Sequence, residues 1–160
     1  MTKQKGFTLI ELIIVIAVIA IISAVVFVAL DPLTRFQDAR DAQRWTNVSA
    51  ILNAIKVDQV DNGGSYATAV SGLTADLYYV IGTAASGCDA TCTAQTTQAA
   101  CIDLESGTDD IVAGGYLASI PMDPSNGTAA NTDYYIRRAT SGAITVGACD
   151  PEGGAISVSR

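Results

Sequence analysis

The hydrophobic pattern changes sharply after the first thirty residues. From Leu12 to Leu30 every residue is apolar or small except Ser23. At about 1.5 Å of rise per residue, a helix of this length can just cross the hydrocarbon core of a bilayer. The sequence therefore predicts a membrane-spanning helix over residues 7–30, with one carboxylate, Glu11, near its start.

The charges before this run predict its orientation. Lys3 and Lys5 precede Glu11 with no acidic partner, so the positive-inside tendency places the N-terminus in the cytoplasm and exports the bulk of the chain. An ordinary secretory signal peptide is the alternative. It fits less well, because the run is longer than a typical signal core, lacks an Ala-x-Ala cleavage site and carries Glu11. We expect a single-pass protein of the cytoplasmic (inner) membrane.

Residues 31–61 have the pattern of an amphipathic stem helix. Asp31 can cap a helix and Pro32 is tolerated in a first turn, so a kink or short break is expected between the two segments. Spacings of three and four residues define an apolar face, on which Trp45 is expected to pack against the rest of the domain. The residues of that face are Trp45, Val48, Leu52 and Ile55.

The stem helix also carries a charged section that is expected to be exposed. Asp41 and Arg44 lie three residues apart in it and can pair. The section consists of Arg35, Asp38, Arg40, Asp41 and Arg44. The run Asp61-Asn62-Gly63-Gly64 is a helix stop signal.

Residues 62–160 are expected to form an extracytoplasmic globular head. Three late segments alternate between apolar and polar residues and are separated by turn residues, which predicts a meander of about three antiparallel strands. These segments are 134–136, 143–146 and 155–158. Residues 65–118 have the composition of a surface connection, with one apolar cluster at 77–81. The predicted fold class is α+β, a long N-terminal kinked helix packed against a small C-terminal antiparallel sheet.

Composition limits the classes of function. The net charge of −7 disfavours nucleic-acid binding, which needs clustered Lys and Arg. Histidine is absent and no serine lies in a Gly-x-Ser-x-Gly elbow, so we expect no enzyme.

The four cysteines, Cys88, Cys92, Cys101 and Cys149, all follow the apolar run. An even number in an exported domain favours disulfides. A zinc site is the competing interpretation, but no second close pair and no histidine complete a tetrahedral set. Four cysteines allow three pairings, and the sequence does not choose among them.

The segment Lys5-Gly6-Phe7-Thr8-Leu9-Ile10-Glu11-Leu12 resembles the class III signal of type IV pilins and pseudopilins, the prepilin-type methylation motif. The resemblance implies a pilin-like fold and a leader of residues 1–6 that prepilin peptidase removes between Gly6 and Phe7. The same enzyme would methylate the new Phe7 amine. Glu11 would then pair with the Phe7 amine of a neighbouring subunit; pairing with the amine of its own chain is the alternative.

The loop "YLASIPMDPSNGTAANTDYY" resembles a loop of major pseudopilins that can bind calcium. Its oxygen donors are Asp123, Asn126, Asn131 and Asp133, the ligand type that calcium prefers. It lacks the tryptophan-glycine pair that follows Asp-Pro in those proteins. A plain Asx-rich turn is therefore the alternative to a calcium site.

The function implied by the resemblance is a structural subunit of a type IV pilus. Such a subunit is anchored in membrane lipid before assembly and then packs with identical subunits in an extracellular helical homopolymer. Its further partners would be an inner-membrane assembly platform and a motor ATPase. The alternatives are a pseudopilin of a type II secretion system and a membrane-anchored binding or adhesion protein that does not polymerise.

Overall fold

The computed structural model describes residues 6–107 and 110–160, so residues 1–5 of the expected leader lie outside the described part. The chain divides into two compact units, the first ending at Gln37 and the second spanning Asp38–Arg160. The helices are α1 (Leu9–Leu30), α2 (Pro32–Asp61) and α3 (Thr68–Ser71). The strands are β1 (Tyr78–Val80), β2 (Tyr134–Arg138), β3 (Ile144–Ala148) and β4 (Ser157–Ser159). This is the α+β, pilin-like layout that the sequence predicts.

Helix α1 is an apolar helix whose residues are all exposed. It ends at Asp31, whose φ of 37° and ψ of 70° are left-handed. A left-handed residue interrupts the helical hydrogen-bond ladder, and Pro32 can only start the next helix because it has no N–H. The break expected at this point is confirmed.

Helix α2 ends at Asp61, as the stop signal predicts. Gly63 and Gly64 both adopt positive φ, at 65° and 97°. The N–H of Gly64 donates to the carbonyl of Gln59 over 2.7 Å, which satisfies one of the free carbonyls at the helix end.

The sheet is an antiparallel meander in the order β1-β2-β3-β4. The three expected strands correspond to β2, β3 and β4, and β1 is an additional strand. Strand β1 pairs with β2 so that Tyr79 lies opposite Ile136. It has only three residues, too few to show alternation, and its partner lies far along the sequence, so periodicity did not reveal it.

The main core lies between α2 and one face of the sheet. Val48 and Ile55 on the helix and Ile136 and Val146 on the sheet are completely buried in one hydrophobic cluster. The expected position of Trp45 is wrong, because this side chain is 46% exposed and belongs to neither core cluster. Arg44 fills the corresponding place one residue earlier and is buried.

The opposite face of the sheet is covered by the cysteine-bearing segment. Val80 and Tyr135 form a second buried cluster with Cys88 and Cys149. The Tyr135 ring lies across Gly147 on the neighbouring strand, where an added Cβ would come within 2.4 Å of the ring. Glycine at position 147 therefore makes room for the tyrosine.

Candidate processing and assembly site

The expected cleavage point, Gly6-Phe7, is exposed. The side chain of Phe7 is 90% exposed. A Cβ added at Gly6 would meet no described atom within 4 Å, and the residue does not adopt a positive φ. The described chain thus gives no internal packing reason for glycine at position 6, whereas a protease that binds this backbone closely would give one.

Glu11 is held at the start of α1 by a capping box. Its Oε2 accepts hydrogen bonds from the backbone N–H of Thr8 over 2.8 Å and from the Thr8 hydroxyl over 2.7 Å. The Glu11 N–H donates in return to Thr8 Oγ1 over 3.3 Å. A carboxylate here also interacts favourably with the positive end of the helix dipole.

The helix that follows has an apolar surface that the described chain leaves uncovered. Among the described residues, one helical stretch, Leu9–Asp61, contains a segment long and apolar enough to cross a membrane. Its side chains from Leu9 to Leu30 are all exposed. Transfer of such a surface from water into lipid, or against other apolar helices, is strongly favourable.

The four cysteines form two disulfides in the second unit. Cys88 pairs with Cys101 and Cys92 pairs with Cys149, with Cα–Cα distances of 5.5 and 4.5 Å. The first bond closes a short loop, and the second ties that loop to the end of β3. All four thiols are therefore used in the head.

In the expected calcium loop, the side chain of Asp123 is already paired. Arg44 binds it with both prongs of the guanidinium, Nε to Oδ2 over 2.6 Å and Nη2 to Oδ1 over 3.0 Å. Asp123 Oδ1 also accepts from the backbone N–H of Ser125 over 2.8 Å. Both side chains are buried.

The other three expected calcium donors differ in how far their side chains are already paired. Asn131 uses both side-chain atoms, since Nδ2 donates to Thr91 Oγ1 over 2.7 Å and Oδ1 accepts from the Asp133 N–H over 3.0 Å. Asn126 is exposed beside Asp133. Within residues 6–107 and 110–160 no group of three His, Cys, Asp or Glu side chains is placed to hold a metal ion.

Asp133 is the least satisfied member of this loop. Its residue is 3% exposed, and no described group donates to its Oδ2. Burial, together with the nearby carboxylates of Asp150 and Asp123, raises the pKa of Asp133 to about 6. The backbone of Asp133 also has a positive φ of 62°.

Arg44 belongs to the charged section that the sequence predicts to be exposed, but its residue is only 1% exposed. Its Nη1 donates to Asp41 over 2.7 Å and to Glu152 over 3.0 Å, and its Nη2 donates to Ser125 over 3.0 Å. The hydrogen bonds to Asp123 are the main cause of the raised pKa of Arg44. A signal was available, because Arg44, Val48, Leu52 and Ile55 follow one another at helical spacing.

The comparison with protein families identifies one segment of the chain. Residues 1–27 match the prokaryotic N-terminal methylation motif. The matched segment contains the expected leader, the exposed Gly6-Phe7 bond, the capping box of Glu11 and most of α1. No curated protein and no solved structure matches the chain.

Proposed function

Because residues 1–27 carry the class III signal of type IV pilins and pseudopilins, we propose that this pilin-like protein is a structural subunit of a type IV pilus. The motif in general implies processing by prepilin peptidase and assembly into pilus-type filaments. The observation that carries the more specific proposal is α1, an apolar helix whose described residues are all exposed directly after the motif's cleavage point.

Cleavage changes the electrostatics at the start of α1. Removal of residues 1–6 would create a positive amine at Phe7, one turn before Glu11. A carboxylate in a membrane-spanning helix costs up to about 2.5–3.5 kcal/mol, the value at the helix centre, unless it is paired or neutralised. Pairing between Glu11 and the Phe7 amine of a neighbouring subunit would recover this cost and fix the axial register of the two helices.

The capping box is compatible with this pairing. Thr8 bonds to Oε2 of Glu11, and the structure gives no described donor for Oε1. Before assembly, the intrachain contact therefore provides hydrogen bonds to one carboxylate oxygen of Glu11. The other oxygen can accept a hydrogen bond from the amine of a neighbouring subunit during assembly. Before assembly the partners of α1 would be lipid chains; after assembly they would be the same helices of identical subunits.

This assignment places the N-terminus in the cytoplasm and the head outside the membrane. The two disulfides support export of the head, because disulfides persist in oxidising compartments. The assembly platform and motor ATPase of a pilus machine would then extract the mature subunit from the membrane into the extracellular filament.

A pseudopilin of a type II secretion system is the second candidate, and the Asp123-Pro124 loop favours it by resemblance. The four cysteines oppose it, because they are unusual in a major pseudopilin. A membrane-anchored binding protein that never polymerises is the third candidate.

Mechanical shearing of cells, followed by separation of released filaments from membranes, tests the proposal. A pilus subunit is expected in the released filaments, and deletion of its gene should remove them. A chain that stays with the membrane in sheared, filament-bearing cells would contradict the proposal. Loss of protein secretion with surface filaments unchanged would instead assign the chain to a secretion apparatus.

A further inference from the structure

An internal cation, the guanidinium of Arg44 on α2, reaches into the loop that resembles a calcium-binding loop. A calcium ion in a loop neutralises carboxylates and links residues that are distant in sequence. Arg44 does both, because it lies on α2 and binds Asp123 in the loop, 79 residues later, with two hydrogen bonds. The bidentate geometry is the strongest form of arginine-carboxylate contact.

The guanidinium has no donor left over. Its five hydrogen bonds go to Asp123 twice and to Asp41, Glu152 and Ser125 once each. Arg40 adds a second positive charge by pairing with Glu152. Two arginines thus face three carboxylates in a network that joins α2, the Asp123 loop and the segment after β3.

The loop backbone is also closed around Asp123. The N–H of Asp123 donates to the carbonyl of Thr132 over 3.0 Å, and the carbonyl of Asp123 accepts from Gly127 over 3.2 Å. A Cβ added at Gly127 would lie 2.2 Å from the Asp123 nitrogen. The carbonyl oxygen and both carboxylate oxygens of Asp123 therefore already accept hydrogen bonds within the protein, and a hard cation would have to compete with these donors.

We propose that Arg44 replaces a bound metal ion in this protein, so that the head folds and orders the Asp123 loop without calcium. Calcium at the Asp123 carboxylate would compete with the guanidinium, and displacement of Arg44 would cost this buried cation two of its five hydrogen bonds, which is strongly unfavourable. The inference concerns the head alone and does not depend on filament formation.

The test uses the full chain in detergent micelles, with thermal unfolding measured in EDTA and in excess calcium chloride. The wild-type melting temperature is expected to be the same in both, within about 1 °C. Calcium bound at a hundred times its dissociation constant would raise it by about 5–10 °C. A rise of that size in the wild type would overturn the proposal.

Arg44→Gln is the informative variant, and Arg137→Gln is its matched control. Both remove one positive charge, but Arg44 pairs with three carboxylates at the loop, whereas Arg137 pairs with the exposed Asp76 away from it. Arg44→Gln should lower the melting temperature by about 6 °C or more, and the control by no more than about 3 °C. Equal effects of the two variants would contradict the role of Arg44.

Hydrogen exchange keeps the proposal testable if Arg44→Gln folds poorly. The double variant Arg44→Gln with Asp123→Asn removes both buried charges, and it should recover part of the lost stability while its loop still opens more often. The amides of Asp123 and Gly127 should exchange at least about tenfold faster than in the wild type, which corresponds to about 1.4 kcal/mol. Wild-type loop amides that are protected only in calcium would refute the proposal.

Discussion

At the scale of single residues, Glu11 has one observed partner in the chain and a second in the proposed filament. In the described chain it is bonded to Thr8, whose N–H and hydroxyl both donate to Oε2. In the proposed filament it also accepts the amine of a neighbouring Phe7. The intrachain capping box therefore holds the carboxylate in position at the helix start and does not exclude the intersubunit contact.

Glu11→Val should leave membrane insertion and leader removal intact, because a charge is removed from an apolar run and the cleaved bond lies before it. Filament yield should fall about tenfold or more, since a charge-assisted hydrogen bond worth about 1.5–3 kcal/mol is lost per subunit. Immunoblots of sheared filaments and of membranes measure both pools. Thr8→Ser, which keeps the cap, should assemble normally. Normal filament yield from Glu11→Val would disprove the pairing.

Glu152 should make the stability of the head depend on pH in the acid range. Hydrogen bonding from Arg40 lowers the pKa of Glu152 to about 2 in the folded head, below its ordinary value of 4.5. The folded state therefore binds this proton less tightly than the unfolded chain does. The stabilisation is complete above about pH 4.5 and is lost as the pH falls towards 2.

Unfolding measurements on the wild type and Glu152→Gln between pH 6 and pH 2 check this prediction. The wild type should be the more stable of the two at pH 6, and the difference should shrink steadily below pH 4.5. The difference in stability between the two proteins is the quantity to compare. It cancels the pH dependence of groups that both proteins share, such as Asp133. A difference that does not change with pH would show that the Arg40–Glu152 contact is not ionic.

At the scale of elements, the two disulfides should differ in what they contribute. Cys88–Cys101 closes a loop of 13 residues and Cys92–Cys149 closes a loop of 57. Loop-closure entropy predicts stabilisation of about 3 and about 4 kcal/mol respectively, because the longer loop restricts the unfolded chain more. The longer one also ties the segment that covers Tyr135 to the end of β3.

Replacing each pair by serine, in separate variants, tests this order by chemical denaturation. Loss of Cys92–Cys149 should lower the free energy of unfolding by about 1.3 kcal/mol more than loss of Cys88–Cys101. Alkylation of unreduced, unfolded wild-type protein should find no free thiol. The opposite order of stabilities would mean that local packing outweighs loop entropy here.

Periodicity predicted the elements that are long or regular. The break at Asp31, the end of α2 at Asp61 and three strands of the meander all follow from apolar spacing and turn residues. Strand β1 was missed because three residues carry no alternation, and its place depends on pairing with β2. Such long-range pairing is not encoded in the local pattern.

The polar part of the core was harder to predict than the apolar part. The sequence predicts an exposed Arg44 and a buried Trp45, because arginine is mostly exposed and tryptophan mostly buried in proteins. In the structure Arg44 is buried because Asp123 and Glu152, from distant segments, join Asp41 of the same helix around it. The local sequence does not predict these long-range ion pairs. The helical spacing of Arg44 and Val48 does place both residues on the buried face of α2.

At the scale of the whole molecule, the chain combines a head that has a buried hydrophobic core with an apolar helix whose residues are exposed. The head buries its apolar residues between α2 and the sheet and under the cysteine-bearing segment. Helix α1 has no buried residue. In our account lipid covers this helix first, and the same helices of identical subunits cover it after assembly.

The intact mass of the chain in sheared surface filaments tests this account most directly. We expect a subunit of residues 7–160 with one methyl group on the Phe7 amine and two disulfides. Gly6→Leu should leave a heavier precursor in the membrane fraction, because the protease could no longer approach the backbone before Phe7. Filament subunits that begin at Met1, or filaments from which the chain is absent, would contradict the account.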